Sequence, residues 1–286
     1  MKFSKISIYF TILLIIKLMF EQCMNNNVSI AKKYNILFLH HSTGAVIFEG
    51  GSKSIHILGH KIIGEKPDVL KWFDNYNKSK GTSYQITQQN FPNAKPYGWN
   101  NYPYDYYTIW VKHAGNQPYM EEPTLEILTK KYNMIVLKHC FPVGDISENT
   151  NNPDIDSPEK SVENYKLQYL ALKQKMLEFP NTKFLIWTGA ARIESETNPA
   201  KAATAKAFFG WVRNELDTAN DNIYLFDFEQ LETDGGLYLN KEYASTLEDS
   251  HPGKGFANRI APLFCQRIVD VIENNGTKTL LTGINK

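Results

Sequence analysis

The segment Asn35-Ile-Leu-Phe-Leu-His40 is a short apolar run bounded by polar residues, which is typical of a strand buried on both faces of a sheet. Three later segments have the same pattern, namely Tyr132–Lys138, Lys183–Thr188 and Asn222–Asp227. Helical patterns lie between and after them, at Glu159–Glu178, Pro199–Ala219 and Gly255–Asn274. Because strands that alternate with helices pair in parallel through right-handed crossovers, the sequence predicts a three-layer α/β/α sandwich with a mostly parallel sheet.

The composition excludes several classes of protein. The 286 residues are 42% hydrophobic and 13% aromatic, which is enough apolar material for a large core and excludes a disordered chain. With 31 basic and 30 acidic residues, the chain carries no overall charge that would draw it to nucleic acid or to an anionic membrane. Its three cysteines are too few for a disulfide scaffold, and no Cys-x-x-Cys pair suggests a zinc or redox site.

The N-terminus has the pattern of a secretory signal. Lys2 and Lys5 precede the apolar run Ile6–Ile16, which is too short to cross a bilayer as a helix. We therefore interpret residues 1–31 as a signal peptide and expect an exported protein, which is secreted, periplasmic or held at the cell surface. An uncleaved membrane anchor is the alternative. The folded domain then comprises residues 32–286.

Residues 72–123 do not follow the alternation of strands and helices. They contain three tryptophans and ten tyrosines or phenylalanines, and we interpret them as an aromatic-rich insertion. Two interpretations of these side chains stay open. They form a surface that binds a ligand, or they pack as a satellite core beneath a long loop.

Polar residues with catalytic chemistry follow the strands, where the functional crevice of an open α/β sheet lies. The first predicted strand is followed by His41-Ser42-Thr43-Gly44, and Glu248-Asp249-Ser250-His251 stands just before the last predicted helix. Serine is a weak nucleophile and needs a base, which His251 can provide when Asp249 or Glu248 orients its ring. The two segments therefore predict a Ser-His-Asp or Ser-His-Glu triad.

The same two segments resemble the first and last motifs of the SGNH (GDSL-type) hydrolase superfamily. Leu37-Phe-Leu-His-His-Ser-Thr-Gly44 stands where that family has its Gly-Asp-Ser motif, and Asp249-Ser-His-Pro-Gly-Lys-Gly-Phe-Ala257 stands at its Asp-x-x-His motif. The resemblance covers roughly residues 34–275. It implies a flavodoxin-like sandwich and ester hydrolysis by Ser42 and His251, with no metal and no other cofactor.

The sequence departs from the family pattern in three places. His-His-Ser replaces Gly-Asp-Ser, so only the serine carries over. The usual carboxylate position, three residues before the histidine, holds Glu248, whereas Asp249 is two residues before it and is slightly favoured. The Gly-x-Asn-Asp motif is missing near Lys138–Pro142. The candidates for the oxyanion hole or for substrate binding are Gly44, Asn100, Asn101, His139, Cys140 and Arg192.

The preferred function is an exported serine esterase that hydrolyses a carboxylic ester, with an O-acetylated glycan as the favoured substrate by analogy. One alternative is a non-catalytic carbohydrate-binding or surface protein on the same scaffold. A metal hydrolase is the minor alternative, built on His40, His41, His139 and His251; adjacent histidines on an extended chain point to opposite faces, which argues against it. We expect a small-molecule or glycan ester as partner, no nucleic acid, and membrane contact only through an uncleaved anchor. The oligomeric state stays open.

Overall fold

The computed structural model describes residues 33–52, 54–57, 60–93, 95–148, 152–219 and 221–286, with only the backbone described for 54–57 and 60–63. The predicted signal peptide or anchor at residues 1–31 lies outside this part of the chain. Among the helices described, none is both long and apolar enough to cross a membrane.

Five of the strands form a parallel sheet in the order β4-β1-β5-β6-β7, and the others form two short antiparallel hairpins, β2-β3 and β8-β9. In chain order, the strands are β1 (Lys33–His40), β2 (Ser54–Ile57), β3 (His60–Gly64), β4 (Ser83–Asn90), β5 (Met134–Leu137), β6 (Lys183–Trp187), β7 (Ile223–Phe226), β8 (Ala244–Thr246) and β9 (Asp249–Pro252).

Helices cover both faces of the sheet. They are α1 (Ser42–Glu49), α2 (Asp68–Lys80), α3 (Pro103–Tyr107), α4 (Leu125–Leu128), α5 (Val162–Leu177), α6 (Pro199–Glu215), α7 (Phe228–Thr233) and α8 (Lys254–Asn274). A turn of π-helix, Thr108–Lys112, continues α3.

The strand residues supply two separate cores, because successive side chains of a strand point to opposite faces of the sheet. In β1, Leu37 and Leu39 join the core beneath α5 and α6, whereas Ile36 and Phe38 join the core beneath α1, α2 and α8. All four side chains are at most 1% exposed. Burial on both faces explains why this strand reads as a continuous apolar run.

The predicted α/β/α sandwich is confirmed, and the four predicted strands and three predicted helices are present with bounds that shift by a few residues. The helix predicted at Glu159–Glu178, for example, begins at Val162 because Ser161 caps it by accepting a hydrogen bond from the Asn164 amide.

The predicted insertion at residues 72–123 needs correction. Most of α2 and all of β4 lie within it, and β4 pairs with β1 over eight residues, so this part belongs to the sandwich itself. Strand β4 was missed because it lies at the sheet edge, where only Ile86 is buried, and its sequence therefore lacks an apolar run.

The remainder, residues 91–123, contributes aromatic side chains to the main core and also presents a polar surface. Phe91, Tyr106 and Trp110 are fully buried and pack on one another, with ring centroids 4.8–5.3 Å apart. These rings continue the core on the α5 side of the sheet. These rings therefore pack in the interior, as part of the main core rather than of a separate satellite core, whereas Tyr97 is exposed.

Candidate active site

Ser42 stands at the carboxyl end of β1, as the first residue of α1. The chain leaves the strand through His41, which is extended and precedes the helix. The Ser42 side chain is exposed. At the first position of a helix the backbone amide has no intrahelical partner, and among the described hydrogen bonds the Ser42 amide has none. This end of the sheet therefore offers a hydroxyl and an N–H group together.

Gly44 makes the close approach of α1 to β1 possible. A Cβ atom at this position would lie 2.4 Å from Cβ of His40, which is far inside contact distance. The Gly44 amide donates to the His41 carbonyl at 2.9 Å. Gly44 was predicted as an oxyanion donor, but its amide is occupied, and its role in this structure is packing.

The β8-β9 hairpin positions the second half of the candidate triad. Thr246 pairs with Asp249 in the hairpin. Because side chains alternate along a strand, Asp249 and His251 lie on one face and Ser250 on the other. Ser250 is 1% exposed; its hydroxyl accepts from the Ile193 amide at 3.0 Å and donates to Glu196. The strand thus places an acid beside the histidine and anchors the opposite face.

Asp249 holds His251 through two hydrogen bonds. Its Oδ1 lies 2.6 Å from His251 Nδ1 and accepts from the His251 backbone amide at 2.9 Å. The Ser245 hydroxyl donates to the other carboxylate oxygen at 2.8 Å. Partial burial would raise the pKa of Asp249, but the hydrogen bonds from His251 and Ser245 outweigh it and lower the pKa to about 2.

Glu248, the alternative acid, makes no contact with His251 among the hydrogen bonds described. Its side chain is exposed, and it stands an odd number of residues from His251, in the turn before β9. An Nδ1–H group that donates to Asp249 leaves the lone pair on Nε2 free to accept a proton. The geometry therefore distinguishes the two acids that the sequence left open.

Ser42 and His251 both contact the segment that follows β5. The Ser42 Oγ lies 3.6 Å from Cys140 Sγ, and the His251 ring meets the Phe141 ring edge to face, with centroids 5.1 Å apart. Helix α1 also lies against β9. No direct hydrogen bond joins Ser42 Oγ to His251 among those of residues 33–286 that are described. The hydroxyl and the imidazole thus flank one dipeptide at the carboxyl edge of the sheet.

Asn101 is buried next to this dipeptide. It is fully inaccessible to solvent and has a left-handed backbone, with φ of 59°. Its carbonyl accepts from the Cys140 amide at 2.9 Å, so that amide is not free to act as an oxyanion donor. Neither polar atom of the Asn101 side chain has a hydrogen-bond partner within the described structure. A buried amide without partners costs about 1–3 kcal/mol, so it calls for an explanation.

Asn100 differs from its neighbour, because its side chain is exposed and its Nδ2 donates to the Gly98 carbonyl at 3.2 Å. The amides of both asparagines donate to Asp105 Oδ2, at 2.7 and 2.8 Å. Burial raises the pKa of Asp105 to about 6, although these amides act in the opposite direction. Asp105 therefore fixes the loop that turns Asn101 inward.

His139 lies in the aromatic core. Its ring packs edge to face against Tyr106 and Tyr169, with centroids 4.5 and 5.5 Å away, and it is 1% exposed. Burial, assisted by the charge of Lys138, lowers the pKa of His139 to about 3, so the ring is neutral at pH 7. Its predicted part in an oxyanion hole stays a prediction.

The remaining histidines of the metal alternative have protein partners. His40 Nε2 lies 2.9 Å from Gln88 Oε1, and His41 Nε2 lies 2.5 Å from the Pro92 carbonyl oxygen. Burial lowers the pKa of His40 to about 4, against the effect of its hydrogen bonds. Within the described ranges, no three histidine, cysteine or acidic side chains are grouped so that they could hold a metal ion.

Arg192 and Cys140 complete the predicted set. The Arg192 guanidinium lies over the Phe141 ring, 5.1 Å from its centroid, on the segment that also contacts His251. Its Nη1 is 3.8 Å from Glu196. Cys140 and Cys265 are both free thiols. Binding of a substrate carboxylate by Arg192 stays a prediction.

Two residues at this edge were not among the candidates, Ser245 and Phe141. Ser245 donates a hydrogen bond to Asp249, and the Phe141 ring contacts both the Arg192 guanidinium and the His251 ring. Phe141 follows directly on Cys140, so its place after a buried strand was a usable signal. Ser245 had no signal, because the short polar strand β8 has no apolar pattern.

No protein-family model matches the sequence, and no curated protein matches it either. Among solved structures, the chain is similar to a GDSL-like lipase from Parabacteroides merdae, with 13% identity and a TM-score of 0.43 over 81% of this chain and 95% of that one. It is also similar to a family two carbohydrate esterase from Clostridium thermocellum, with 10% identity and a TM-score of 0.42 over 86% of this chain and 65% of the other. A carbohydrate esterase family 2 enzyme from Corynascus thermopiles (Myceliophthora fergusii) has 12% identity and a TM-score of 0.45 over 85% of this chain and 67% of that one. At these identities and TM-scores the likeness is one of overall fold only.

Proposed function

We propose that the protein is a serine esterase in which Ser42 is the nucleophile, His251 the general base and Asp249 the residue that orients it. The observation that carries the proposal is the Asp249–His251 pair, with a 2.6 Å hydrogen bond, on a strand that lies against the helix beginning at Ser42. A hydroxyl, an imidazole and a carboxylate on neighbouring elements at the carboxyl edge of a parallel sheet are the parts that acyl transfer needs.

In this mechanism His251 Nε2 takes the proton of the Ser42 hydroxyl while Ser42 Oγ attacks the ester carbonyl carbon. The tetrahedral intermediate then collapses, and His251 returns the proton to the departing alcohol. Water then attacks the acyl-enzyme in the same way, with His251 as the base, and the acid is released from Ser42. Asp249, with a pKa of about 2, stays ionised throughout the neutral range and stabilises the imidazolium that forms.

The oxyanion of that intermediate needs preorganised donors. The proposed donors are the Ser42 backbone amide, at the start of α1, and the Asn101 side-chain amide. The missing partner supports the assignment of Asn101: its amide is buried in the unbound protein, and a substrate oxygen that reaches it when the ester binds would satisfy a group that the protein itself leaves unpaired. Asn100, the neighbouring asparagine, has an exposed side chain and therefore lacks the feature that supports Asn101 as a donor.

The test is hydrolysis of 4-nitrophenyl acetate by Ser42→Ala. We expect a loss of at least about a thousandfold in kcat with an unchanged melting temperature. Ser79→Ala, which removes an exposed hydroxyl at the far end of α2, is the control and should keep full activity. Turnover by Ser42→Ala at the wild-type rate would exclude Ser42 as the nucleophile.

A serine-directed fluorophosphonate distinguishes the esterase from a non-catalytic carbohydrate-binding protein on the same scaffold. The esterase is labelled at Ser42, and labelling falls in His251→Ala because the base is lost. Absence of labelling in the wild-type protein would favour the binding protein. We further propose that the protein is exported and that its substrate is an O-acetylated glycan.

A further inference from the structure

We infer that a polar cleft beside Ser42 binds the sugar ring that carries the ester. This inference rests on the proposed esterase function and specifies where the non-reacting part of its substrate lies. The cleft has a volume of about 430 Å3, within the range of small-molecule sites. It is lined by Gln89, Asn90, Asn93, Lys95, Tyr97, Glu121 and Glu122.

Two contacts join one wall of the cleft to the residues that directly precede Ser42. Asn90, at the end of β4, pairs with His40 at the end of β1, two residues before Ser42. The Pro92 carbonyl oxygen then lies 2.5 Å from His41 Nε2. One wall of the cleft is therefore fastened to the two residues that precede Ser42, so an ester bound at Ser42 has this cleft next to it.

The lining matches a neutral polyhydroxylated ligand. The side-chain amides of Gln89, Asn90 and Asn93 offer donors and acceptors together, as neighbouring sugar hydroxyls require. Tyr97 adds a flat ring that is 38% exposed. Lys95 contributes one positive charge, whereas Glu121 and Glu122 are both acidic, so the cleft does not favour a strongly anionic ligand. A long acyl chain would find few apolar walls here.

A strained turn holds Glu121 at the cleft. Tyr119 and Glu122 exchange backbone hydrogen bonds at 3.0 and 2.9 Å, which closes a two-residue turn. Both central residues, Met120 and Glu121, have left-handed backbones, with φ of 45° and 65°. Turns of this kind favour Asn-Gly, and other residues there cost conformational energy.

Neighbouring contacts maintain the turn against this cost. The Glu122 carboxylate accepts from the Asn93 amide at 2.5 Å, which ties the turn to the opposite wall of the cleft. The His113 ring stacks on Tyr119, with centroids 3.7 Å apart. Glu121 therefore lines the cleft despite the conformational cost of its left-handed backbone. Such a cost is characteristic of functional sites.

The experiment compares Glu121→Gly with Met120→Gly, using 4-nitrophenyl acetate and acetylated xylo-oligosaccharides as substrates. Both substitutions relieve the left-handed backbone, so both should raise the melting temperature. Only Glu121→Gly removes a group from the cleft. We expect it to raise KM for the oligosaccharide about tenfold more than KM for 4-nitrophenyl acetate, whereas Met120→Gly changes neither constant.

The outcomes separate this inference from the proposed function. Unchanged KM for the oligosaccharide in Glu121→Gly, with 4-nitrophenyl acetate still hydrolysed, would overturn the sugar cleft and leave the esterase standing. If neither ester is hydrolysed, the esterase fails, and calorimetric titration with unacetylated xylotriose tests the cleft alone. Binding that weakens in Glu121→Gly but not in Met120→Gly supports the cleft, and no binding by the wild-type protein overturns it.

Discussion

Ser42 and the Asp249–His251 pair lie at the same edge of the sheet, but different kinds of interaction hold them in place. Ser42 follows β1, whose last five residues are buried, and begins a helix whose Ile47 and Phe48 are buried beneath it. The β8-β9 hairpin, by contrast, pairs with no strand of the main sheet. The position of the nucleophile is thus set by the hydrophobic core, whereas that of the acid–base pair is set by a few hydrogen bonds.

This difference separates the effects of substitutions. Changes beneath Ser42 should alter stability and activity together, because the same packing maintains both. Changes at the exposed side chains of the hairpin, whose Leu247 is 72% exposed, should alter activity far more than they alter the free energy of unfolding. The variants below test this separation.

The largest effect should come from Asp249→Asn in the hairpin. The asparagine amide cannot hold the His251 tautomer that leaves Nε2 unprotonated, and we expect kcat for 4-nitrophenyl acetate to fall about ten-thousandfold. Glu248→Gln is the matched control on the adjacent residue and should stay within about twofold of wild type. Equal losses in the two variants would contradict the assignment of the acid, and a large fall in melting temperature in Asp249→Asn would contradict the separation itself.

The next effect should come from Gly44→Ala beneath the nucleophile. The added methyl group would lie 2.4 Å from His40 Cβ, so α1 must shift from β1, at a cost of about 1–3 kcal/mol of unfolding free energy. Gly255→Ala, in the first turn of α8, meets nothing within 4 Å and should be neutral or stabilising. Denaturant unfolding measures the expected loss of stability. Turnover of 4-nitrophenyl acetate measures the loss of activity that should accompany it. A Gly44→Ala protein with wild-type stability would show that the helix does not depend on this contact.

The core-supported side of the comparison could largely be predicted from sequence, because burial on both faces leaves a continuous apolar run in strands such as β1. The same physics explains the error at β4. Its sequence, Ser-Tyr-Gln-Ile-Thr-Gln-Gln-Asn, has one buried side chain, Ile86, so nothing in the pattern distinguishes an edge strand from a polar loop.

The candidate site could be predicted only in part. Ser42 and His251 follow from their places after the first strand and before the last helix. The choice between Asp249 and Glu248 depends on the register of a short polar hairpin, which no periodicity reveals. Asn100 and Asn101 are chemically identical in the sequence, and only the left-handed backbone of Asn101 turns its amide inward.

A third test is His139→Phe, in the segment after β5 that both Ser42 and His251 contact. Neither ring nitrogen of His139 has a partner in the described structure, and its neighbours are Tyr106 and Tyr169. Phenylalanine keeps the ring contacts and removes two buried polar atoms, so we expect a gain of about 1 kcal/mol in unfolding free energy and unchanged turnover. Loss of turnover in a stable His139→Phe protein would instead identify His139 as an oxyanion donor.

The smallest effect should come from Ser245→Ala, which removes one of the hydrogen bonds that hold the hairpin acid. Hydrogen bonds to the ionised form lower the pKa of Asp249 to about 2, so their contribution to stability is complete above the ordinary pKa and is lost as pH falls through about 2. Without the Ser245 hydroxyl the pKa of Asp249 rises toward its ordinary value, so the contribution to stability is smaller and its loss is complete at a higher pH. Melting curves between pH 5 and pH 2 measure this shift, with Asp249→Asn as the variant in which it is absent. At pH 7 the aspartate is ionised in both proteins and still bonds His251, so we expect turnover to fall only about threefold. A loss as large as that of Asp249→Asn would mean that Ser245, rather than the His251 amide and ring, determines where the carboxylate lies.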